Sequence, residues 1–347
     1  MKLLADWELT GPLLVLWPFR NDVWRQNGEP AQQQLLKLIE HLAPYHRVVI
    51  GVHPSRYDGV RESIASEIQL IPISYDDAWP RDIGPLWVLD SAQQPHAHGF
   101  QFSAWHGLYP NFHNDQLFAK RLAHQAQIPF TQHDLVFEGG AISTDGAGTA
   151  IIHSVSVARN NPTWSRSDIE AYMCETLGIS NLLWLHFAHP DDETGGHADN
   201  QVQFLDRSTL VVSQPTSSSP LYHDYTKQLS QARSWRNSSG EAYQIVVVPQ
   251  PQSLTPSFED YLSVQEQPGV FRRGVRPLLA SYVNFVRVGD VVVVPQFGLD
   301  TDAEALSLLR QAAPQLIVIG AAADEFIKAG GALHCMTLNQ PATTQLI

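Results

Sequence analysis

One cysteine, Cys335, lies in a glycine-containing loop at 329–337, near the C-terminal end of the sequence. Glycine permits backbone conformations that other residues resist, so such a loop can hold a side chain in an unusual position. A thiol in this setting, with histidine and acidic residues far upstream, is typical of a nucleophile that folding assembles. The alternative is a buried structural cysteine, which is the interpretation we favour for Cys174.

Two acidic residues follow predicted strands. Asp82 lies in the turn at 76–85, whose prolines and glycine fix its shape. Glu138 ends another apolar run and precedes two glycines, which let other groups approach the backbone closely. Taken separately, Asp82 could form a turn-stabilising pair with Arg81, and Glu138 could be an exposed acid at a strand end. Only their combination with the Cys335 thiol favours a catalytic role for these two acids.

A histidine and an aspartate lie together in the segment at 191–200. If this segment is an extended strand, His197 and Asp199 point to the same side, because strand side chains alternate. A histidine beside a carboxylate is suited to proton transfer. The same residue types also bind metals. The chain has no Cys-x-x-Cys or His-Glu-x-x-His pattern, so we favour proton transfer over a metal site.

A thiol, a histidine and several carboxylates together indicate a particular electrophile. A thiol paired with a histidine attacks electrophilic carbon. Carboxylates near the thiol would hinder thiolate formation. They would also repel an anionic intermediate such as the one formed in peptide hydrolysis. They suit a cationic substrate, and a guanidinium is planar, always charged and bound by carboxylates through paired hydrogen bonds. The sequence therefore predicts chemistry on a guanidine carbon.

The composition is that of a globular protein with an acidic balance. Of 347 residues, 44% are hydrophobic and 16% are charged, and 22 Lys and Arg against 35 Asp and Glu give a net charge of −13. This charge disfavours nucleic acid as a partner and suits a cationic one, although acidic residues also serve solubility. No run approaches the ~20 apolar residues of a membrane span. With two cysteines and no signal-peptide pattern, we expect no membrane association and a cytoplasmic location.

Apolar β-branched runs alternate with helical patterns along the whole chain. We expect strands at 13–17, 47–52, 68–73, 86–89, 182–185, 209–212, 243–248, 291–294 and 316–319, and helices at 31–42, 59–67, 117–126, 166–177, 222–230 and 302–312. This order indicates an α/β protein of repeated β-β-α-β units in a single domain, residues 1–347. The weakly patterned stretches at 214–240 and 249–276 are interpreted as functional loops or lids.

Five short motifs follow one another along the chain. They are Trp-Pro-Arg-Asp-Ile-Gly-Pro at 79–85, Glu-Gly-Gly at 138–140, Gly-His-Ala-Asp-Asn at 196–200, Tyr-Val-Asn-Phe at 282–285 and Gly-Gly-Ala-Leu-His-Cys at 330–335. In this order they resemble the motifs of the agmatine deiminases, within the wider group of bacterial-type peptidylarginine deiminases and guanidino-group-modifying enzymes. Each motif is weak by itself, but the ordered set is specific, and the likeness extends nearly end to end.

The resemblance implies a fold and a set of roles. The fold would be a five-bladed, pseudo-symmetric α/β propeller of β-β-α-β units with the site at its centre. Cys335 would attack the guanidinium carbon, and His197 would protonate the departing ammonia and then activate water against a thiouronium intermediate. Asp82 and Asp199 would hold the guanidinium nitrogens, and Glu138 would orient the histidine. No metal or organic cofactor is implied.

Two further residues bear on substrate choice. Trp79 could stack on a cation through its ring face, or it could be a buried anchor. Glu193 stands where agmatine deiminases usually have an aspartate, and its longer side chain could reposition an amine contact. We predict agmatine as the substrate, hydrolysed to N-carbamoylputrescine and ammonia. Free arginine, peptidyl arginine, amidino transfer to an amine and a non-catalytic guanidine binder stay open, as does assembly into a homo-oligomer.

Overall fold

The computed structural model describes residues 1–342. Within that range the strands are β1 Lys2–Leu3, β2 Leu13–Leu16, β3 Val48–Val52, β4 Gln69–Pro72, β5 Leu86–Leu89, β6 Pro95–Gln101, β7 Phe130–Val136, β8 Ile142–Thr144, β9 Thr149–His153, β10 Asn181–Leu185, β11 Val202–Asp206, β12 Thr209–Gln214, β13 Gln244–Pro249, β14 Val286–Val288, β15 Val291–Gln296, β16 Ile317–Ala322 and β17 Thr337–Leu338. The helices are α1 Glu29–Leu42, α2 Tyr57–Ser63, α3 Pro80–Ile83, α4 Ala104–Gly107, α5 His113–Gln125, α6 Ser154–Asn160, α7 Arg166–Leu177, α8 Tyr222–Ser234, α9 Asp302–Ala312 and α10 Asp324–Ile327. All nine predicted strands and six predicted helices are present, with ends that differ from the prediction by at most four residues.

The strands of the described range form five small sheets, each combining antiparallel with parallel pairing. In four of them, one strand pairs antiparallel with the next, which pairs parallel with a third across a helix. These units are β5-β6-α5-β7, β8-β9-α7-β10, β11-β12-α8-β13 and β14-β15-α9-β16. Parallel neighbours run in the same direction, so the chain must return to the starting edge of the sheet before the second strand begins. A crossover helix makes this connection. The predicted β-β-α-β repeat is confirmed.

The fifth sheet joins the two ends of the described chain. Strand β17 pairs antiparallel with β2, with Thr337 opposite Val15 and Leu338 opposite Leu14. Strand β2 then pairs parallel with β3 across α1, and β3 pairs parallel with β4. The first strand of this unit therefore comes from the C-terminal part of the sequence. This pairing anchors the loop that carries Cys335 to the N-terminal part.

The middle strands of the sheets are buried on both faces, which explains why they read as continuous apolar runs. All residues of β2 are completely buried, and residues 291–294 of β15 are at most 4% exposed. Helix α7 buries Ile169, Met173 and Leu177, one residue per turn of its inner face. No helix in residues 1–342 is both long and apolar enough to cross a membrane.

Two expectations about individual residues are wrong. Cys174 is exposed rather than packed in the core, because the buried face of α7 runs through Met173 and leaves the next residue outside. His197 and Asp199 do not share a strand, since residues Ala198–Asn200 form a 3₁₀ turn and β11 begins only after it. The buried side chain of Asp192 stabilises this turn by accepting from the backbone N–H of His197 at 3.1 Å.

The two weakly patterned stretches differ from one another. The middle of the segment at 214–240 is helix α8, which packs on its own sheet through Tyr225 and Leu229, so it is a crossover helix and not a lid. After the end of β13, the segment at 249–276 is a loop with the 3₁₀ turn Phe258–Tyr261 and one isolated bridge, between Leu254 and Leu278. Its Arg273 forms an ion pair with Glu193, one of the predicted site residues.

Closure of the fifth sheet should contribute measurably to stability. Leu338 in β17 is 2% exposed, so Leu338→Ala would leave a cavity and lower the free energy of unfolding by about 2–5 kcal/mol. Urea denaturation would measure the change, with Leu262→Ala as a control because that side chain is 66% exposed and should change stability by less than about 0.5 kcal/mol. Equal effects of the two substitutions would contradict a role for this closure.

Candidate active site

The residues of the site stand just before the first strand of each unit. Asp82 comes four residues before β5, Glu138 four residues before β8, and Asp199 three residues before β11. Asn284 and Cys335 come two residues before β14 and β17 respectively. Corresponding segments of five sheets thus supply one residue each to the same place, although the five lie far apart in the sequence.

Cys335 is buried, with 5% of its surface exposed, and Asn284 fixes it in place. The amide oxygen of Asn284 accepts the backbone N–H of His334 at 2.9 Å, and its Nδ2 donates to Cys335 Sγ at 3.2 Å. A donor at the sulfur favours the thiolate. One amide from the neighbouring unit therefore orients the loop and contacts the sulfur atom.

Asp199 lies against the sulfur and is completely buried. Its Oδ2 lies 3.7 Å from Cys335 Sγ and 2.8 Å from His334 Nδ1. Its Oδ1 is buried and has no hydrogen-bond partner among residues 1–342. A buried carboxylate oxygen without a donor is energetically costly, so this atom is an acceptor available to a cationic ligand.

His334 links Asp199 to the N-terminal segment. Its Nε2 lies 3.0 Å from Asp6 Oδ2, and Arg81 Nη1 donates to the other oxygen of Asp6 at 3.1 Å. Burial and Arg81 lower the pKa of His334, but hydrogen bonds to Asp199 and Asp6 outweigh them and raise it. Because the side chain of Arg81 contacts Asp6, the turn-stabilising pair between Arg81 and Asp82 does not form.

His197 is completely buried between two carboxylates. Its Nδ1 lies 3.7 Å from Asp82 Oδ1, and its Nε2 lies 3.9 Å from Glu138 Oε2. Neither ring nitrogen has a hydrogen-bond partner in the described part of the chain. Burial lowers the pKa of His197, but Asp82, Glu138 and Asp199 outweigh it and raise the pKa to about 10. The imidazole is therefore a cation near neutral pH and can donate a proton.

Asp82 is held by hydrogen bonds and surrounded by charge. Its Oδ2 accepts the indole N–H of Trp105 at 2.9 Å. Burial raises the pKa of Asp82, and although His197 opposes the shift, the two nearby carboxylates add to it, so the pKa is about 6. The group is ionised at neutral pH but close to taking up a proton.

Gly140 lies where three of these side chains meet. A Cβ atom there would be 2.6 Å from His197 Nδ1, 2.7 Å from Asp82 Oδ1 and 3.0 Å from Asp199 Oδ2, which is too close for any side chain. Its backbone N–H donates to Asp82 Oδ1 at 2.9 Å. The close approach predicted from the two glycines after Glu138 is confirmed.

The charges of the site act on the thiol. Burial, together with Asp199 and Asp82, raises the pKa of Cys335 well above its usual range, although the hydrogen bond from Asn284 opposes this. The thiol is therefore protonated at neutral pH while these carboxylates are its nearest charges. A positive charge placed beside the sulfur would favour its ionisation.

A pocket adjoins Cys335. Trp79 and Glu193, the two residues expected to bear on substrate choice, both line it. Trp79 is 3% exposed, stacks on Trp24 with ring centroids 5.2 Å apart, and donates its indole N–H to Asp77. It is thus a buried anchor that also forms part of the pocket wall.

Glu193 lines the same pocket from the segment before the His197 turn. Its carboxylate forms a close ion pair with Arg273, which comes from the 249–276 segment. The side chains of the pair are only 11% and 6% exposed. The carboxylate predicted to bind the amine of a substrate is therefore already engaged by a cation of the protein.

The structure brings the five predicted catalytic and guanidinium-binding side chains into one buried cluster. The members are Cys335, His197, Glu138, Asp82 and Asp199. Within residues 1–342, no three or more His, Cys, Asp or Glu side chains are grouped so that they could hold a metal ion.

Three residues that contact this cluster or line its pocket were not predicted to have a role, and a fourth, Trp105, was expected only as part of the pocket wall. Asn284 could have been found, because it lies in the Tyr-Val-Asn-Phe motif at 282–285. His334 is adjacent to Cys335, but its partner Asp6 is more than three hundred residues away. The aromatic-glycine turn at 105–107 indicated a pocket wall but not the hydrogen bond from Trp105 to Asp82. Arg273 carries no signal in the sequence, because only the fold directs it to Glu193.

Comparison with known proteins gives the family. A sequence model of the Porphyromonas-type peptidyl-arginine deiminases matches residues 2–341. The agmatine deiminase of Ectopseudomonas mendocina is 31% identical over 348 residues, covering 97% of this chain and 95% of that protein. The solved structure of the Enterococcus faecalis agmatine deiminase superposes with a TM-score of 0.92 at 25% identity, covering 98% of this chain and 95% of that one. The chain therefore belongs to the family of Porphyromonas-type peptidyl-arginine deiminases and agmatine deiminases, and it is a hydrolase of amidine carbon–nitrogen bonds.

Proposed function

We propose that the protein hydrolyses the guanidinium group of a small cationic substrate to a ureido group and ammonia. Agmatine is the first candidate, because similar proteins bear that name, and its product would be N-carbamoylputrescine. The observation that carries the proposal is a buried thiol among carboxylates, beside an oxygen of Asp199 that has no hydrogen-bond partner in the described residues. A guanidinium would supply both the missing positive charge and a donor for this oxygen.

Binding comes first in this scheme. Asp82 and Asp199 accept hydrogen bonds from the planar guanidinium, which carboxylates bind through paired contacts. The bound cation adds positive charge beside Cys335 and so lowers the pKa of a thiol that burial has raised. The thiolate therefore forms chiefly when substrate is present.

The chemistry then proceeds in two halves. The sulfur of Cys335 bonds to the guanidinium carbon, His197 gives a proton to one nitrogen, and ammonia leaves with the electrons of its carbon–nitrogen bond. Water next attacks the resulting thiouronium carbon and gives one proton to His197. The carbon–sulfur bond then breaks with its electrons on the sulfur, the second proton of the water passes to the thiolate, and the ureido product is released. Glu138 lies 3.9 Å from His197 Nε2 and stabilises the imidazole in its protonated form.

We also propose that residues 1–347 act as one catalytic domain whose five units are the blades of a pseudo-symmetric propeller around the site. The support is the placement of the site residues at corresponding positions, each just before the first strand of its unit. The pairing of β17 with β2 would close such a ring.

The nucleophile can be tested with a matched control. Cys335→Ser should lower kcat at least about 10³-fold, because the hydroxyl cannot replace a thiolate in covalent catalysis. Cys174→Ser should change kcat less than twofold, since Cys174 is exposed and away from the site. Ammonia release from agmatine would measure both, and intact-protein mass spectrometry of the wild type should detect the adduct. Substantial turnover by Cys335→Ser would contradict the mechanism.

The pH dependence follows from two buried groups. Binding requires ionised Asp82, so kcat/KM should fall as the pH drops through about 6. Ammonia departure requires protonated His197, so kcat/KM should fall again as the pH rises through about 10. Asp82→Asn should weaken substrate capture and remove the acidic limb of the profile. An acidic limb that persists in this variant would assign the lower pKa to another group.

The same assay separates the remaining alternatives. Deimination yields ammonia and ureido product in equal amounts, whereas amidino transfer places the amidine on an added amine. A guanidine binder without activity would yield neither product while still showing saturable binding by calorimetry. Release of ammonia and ureido product in equal amounts is the expected outcome.

A further inference from the structure

Helix α4 is a single left-handed turn beside the buried cluster. Ala104, Trp105 and His106 have φ angles of 51°, 50° and 66°, and Gly107 follows with 89°. This conformation is costly for residues other than glycine, because Cβ comes too close to the following carbonyl oxygen. Three such residues in a row persist only where the surrounding structure imposes them, and such outliers concentrate at functional sites. The contacts of the turn indicate what it serves.

Trp105 directs its indole at one of the site carboxylates. The side chain is 6% exposed, and its Nε1 donates to Asp82 Oδ2 at 2.9 Å. The ring packs edge-on against Phe102 and Trp79, with ring centroids 5.1 and 6.5 Å away. These neighbours fix the direction of the N–H. Because Gly140 donates to Asp82 Oδ1, the two donors together set the plane of the carboxylate.

Ser103, the residue before the turn, fastens it to the opposite side of the cluster. Its Oγ accepts the backbone N–H of His106 at 2.9 Å and donates to Asn160 Oδ1 at 3.4 Å. Asn160 Nδ2 donates to the two carboxylate oxygens of Glu138 at 3.1 and 3.3 Å. The left-handed turn is therefore anchored between two of the acids of the site, and its first hydrogen bond is made by a side chain.

The carboxylate of Asp82 has two tasks in the proposed reaction. It accepts hydrogen bonds from the guanidinium, and its charge acts on His197, whose Nδ1 lies 3.7 Å from Oδ1. Both tasks require the ionised form. An N–H group that donates to a carboxylate favours this form over the neutral acid. The indole of Trp105 thus acts on binding and on proton transfer through Asp82.

We propose that Trp105 is a positioning residue for the proposed deimination, and that the left-handed turn of α4 holds its indole N–H against Asp82. This inference rests on the proposed deiminase function. It gives a role to a residue that was expected only as part of the pocket wall, and it gives a reason for the conformation of α4.

The first test removes only the indole N–H. Burial raises the pKa of Asp82, as Asp199 and Glu138 do, whereas His197 and the hydrogen bond from Trp105 lower it, and the result is about 6. Trp105→Phe keeps an aromatic ring in the wall but loses this bond. The acidic limb of kcat/KM for agmatine should therefore move up by about one pH unit. At pH 6 the value should fall about fivefold, whereas at pH 9 the variant and the wild type should agree within about twofold.

This profile separates positioning from a mere wall. If Trp105 only packed against the substrate, Trp105→Phe would change KM by the same factor at every pH and leave the limb in place. That result would overturn the inference.

The second test strains the turn without touching the site. A Cβ atom on Gly107 or on Gly59 would have no atom within 4 Å, but Gly107 has a φ of 89° and Gly59 lies in the right-handed helix α2. Gly107→Ala should therefore loosen the turn and move the acidic limb in the same direction as Trp105→Phe. Gly59→Ala is the matched control and should leave the pH profile unchanged. A limb that stays in place in Gly107→Ala would overturn the role of the turn.

The outcomes separate this inference from the proposed function. If the wild type releases ammonia from agmatine and the acidic limb stays in place in Trp105→Phe, the inference is overturned and the deiminase function stands. If no guanidine is hydrolysed, the proposed function fails, and carbon-13 NMR of the aspartate carboxyl groups decides the role of Trp105, with Asp82→Asn to assign the signal. A higher pKa of Asp82 in Trp105→Phe would support the inference, and an unchanged one would overturn it. Thermal unfolding checks that each variant is folded, and Gly107→Ala carries the test if Trp105→Phe is not.

Discussion

Negative charge buried around a thiol is the constraint on which the rest of the site depends. Asp82, Glu138 and Asp199 are each at most 5% exposed, and the nearest cation within the cluster is His197. Buried charges are expensive unless they are paired, and one cation cannot fully pair three carboxylates. The cost appears in the raised pKa of Asp82 and of the Cys335 thiol. A ligand that brings positive charge would relieve both.

The fold supplies this cluster through repetition. Each unit places one polar side chain just before its first strand, where a short turn leads into a rigid, buried sheet. Side chains held on such elements keep their geometry better than side chains on free loops. The contacts from Asp199 through His334 to Asp6 and Arg81 extend the support outward. They also connect the C-terminal loop with the N-terminal segment, as the pairing of β17 with β2 does through the backbone.

The inner and outer parts of the pocket have different origins. The inner part comes from corresponding positions of the five units. The outer part comes from Glu193 and from the 249–276 segment, which lies outside the repeated units and adds Arg273. The two parts share no residue.

The sequence by itself predicted nine of the seventeen strands and six of the ten helices in the described residues, together with the candidate reacting groups. Continuous apolar runs marked the strands because these are buried on both faces, and the ordered motifs marked Cys335, His197, Glu138 and the two aspartates. It did not determine the 3₁₀ turn at Ala198–Asn200, because the side chain of Asp192 overrides the local pattern there. It did not reveal Arg273, because that contact crosses eighty residues and depends on how a weakly patterned segment lies over the pocket. Local periodicity records which residues are buried, whereas the partners of a buried charge are decided only when distant segments pack together.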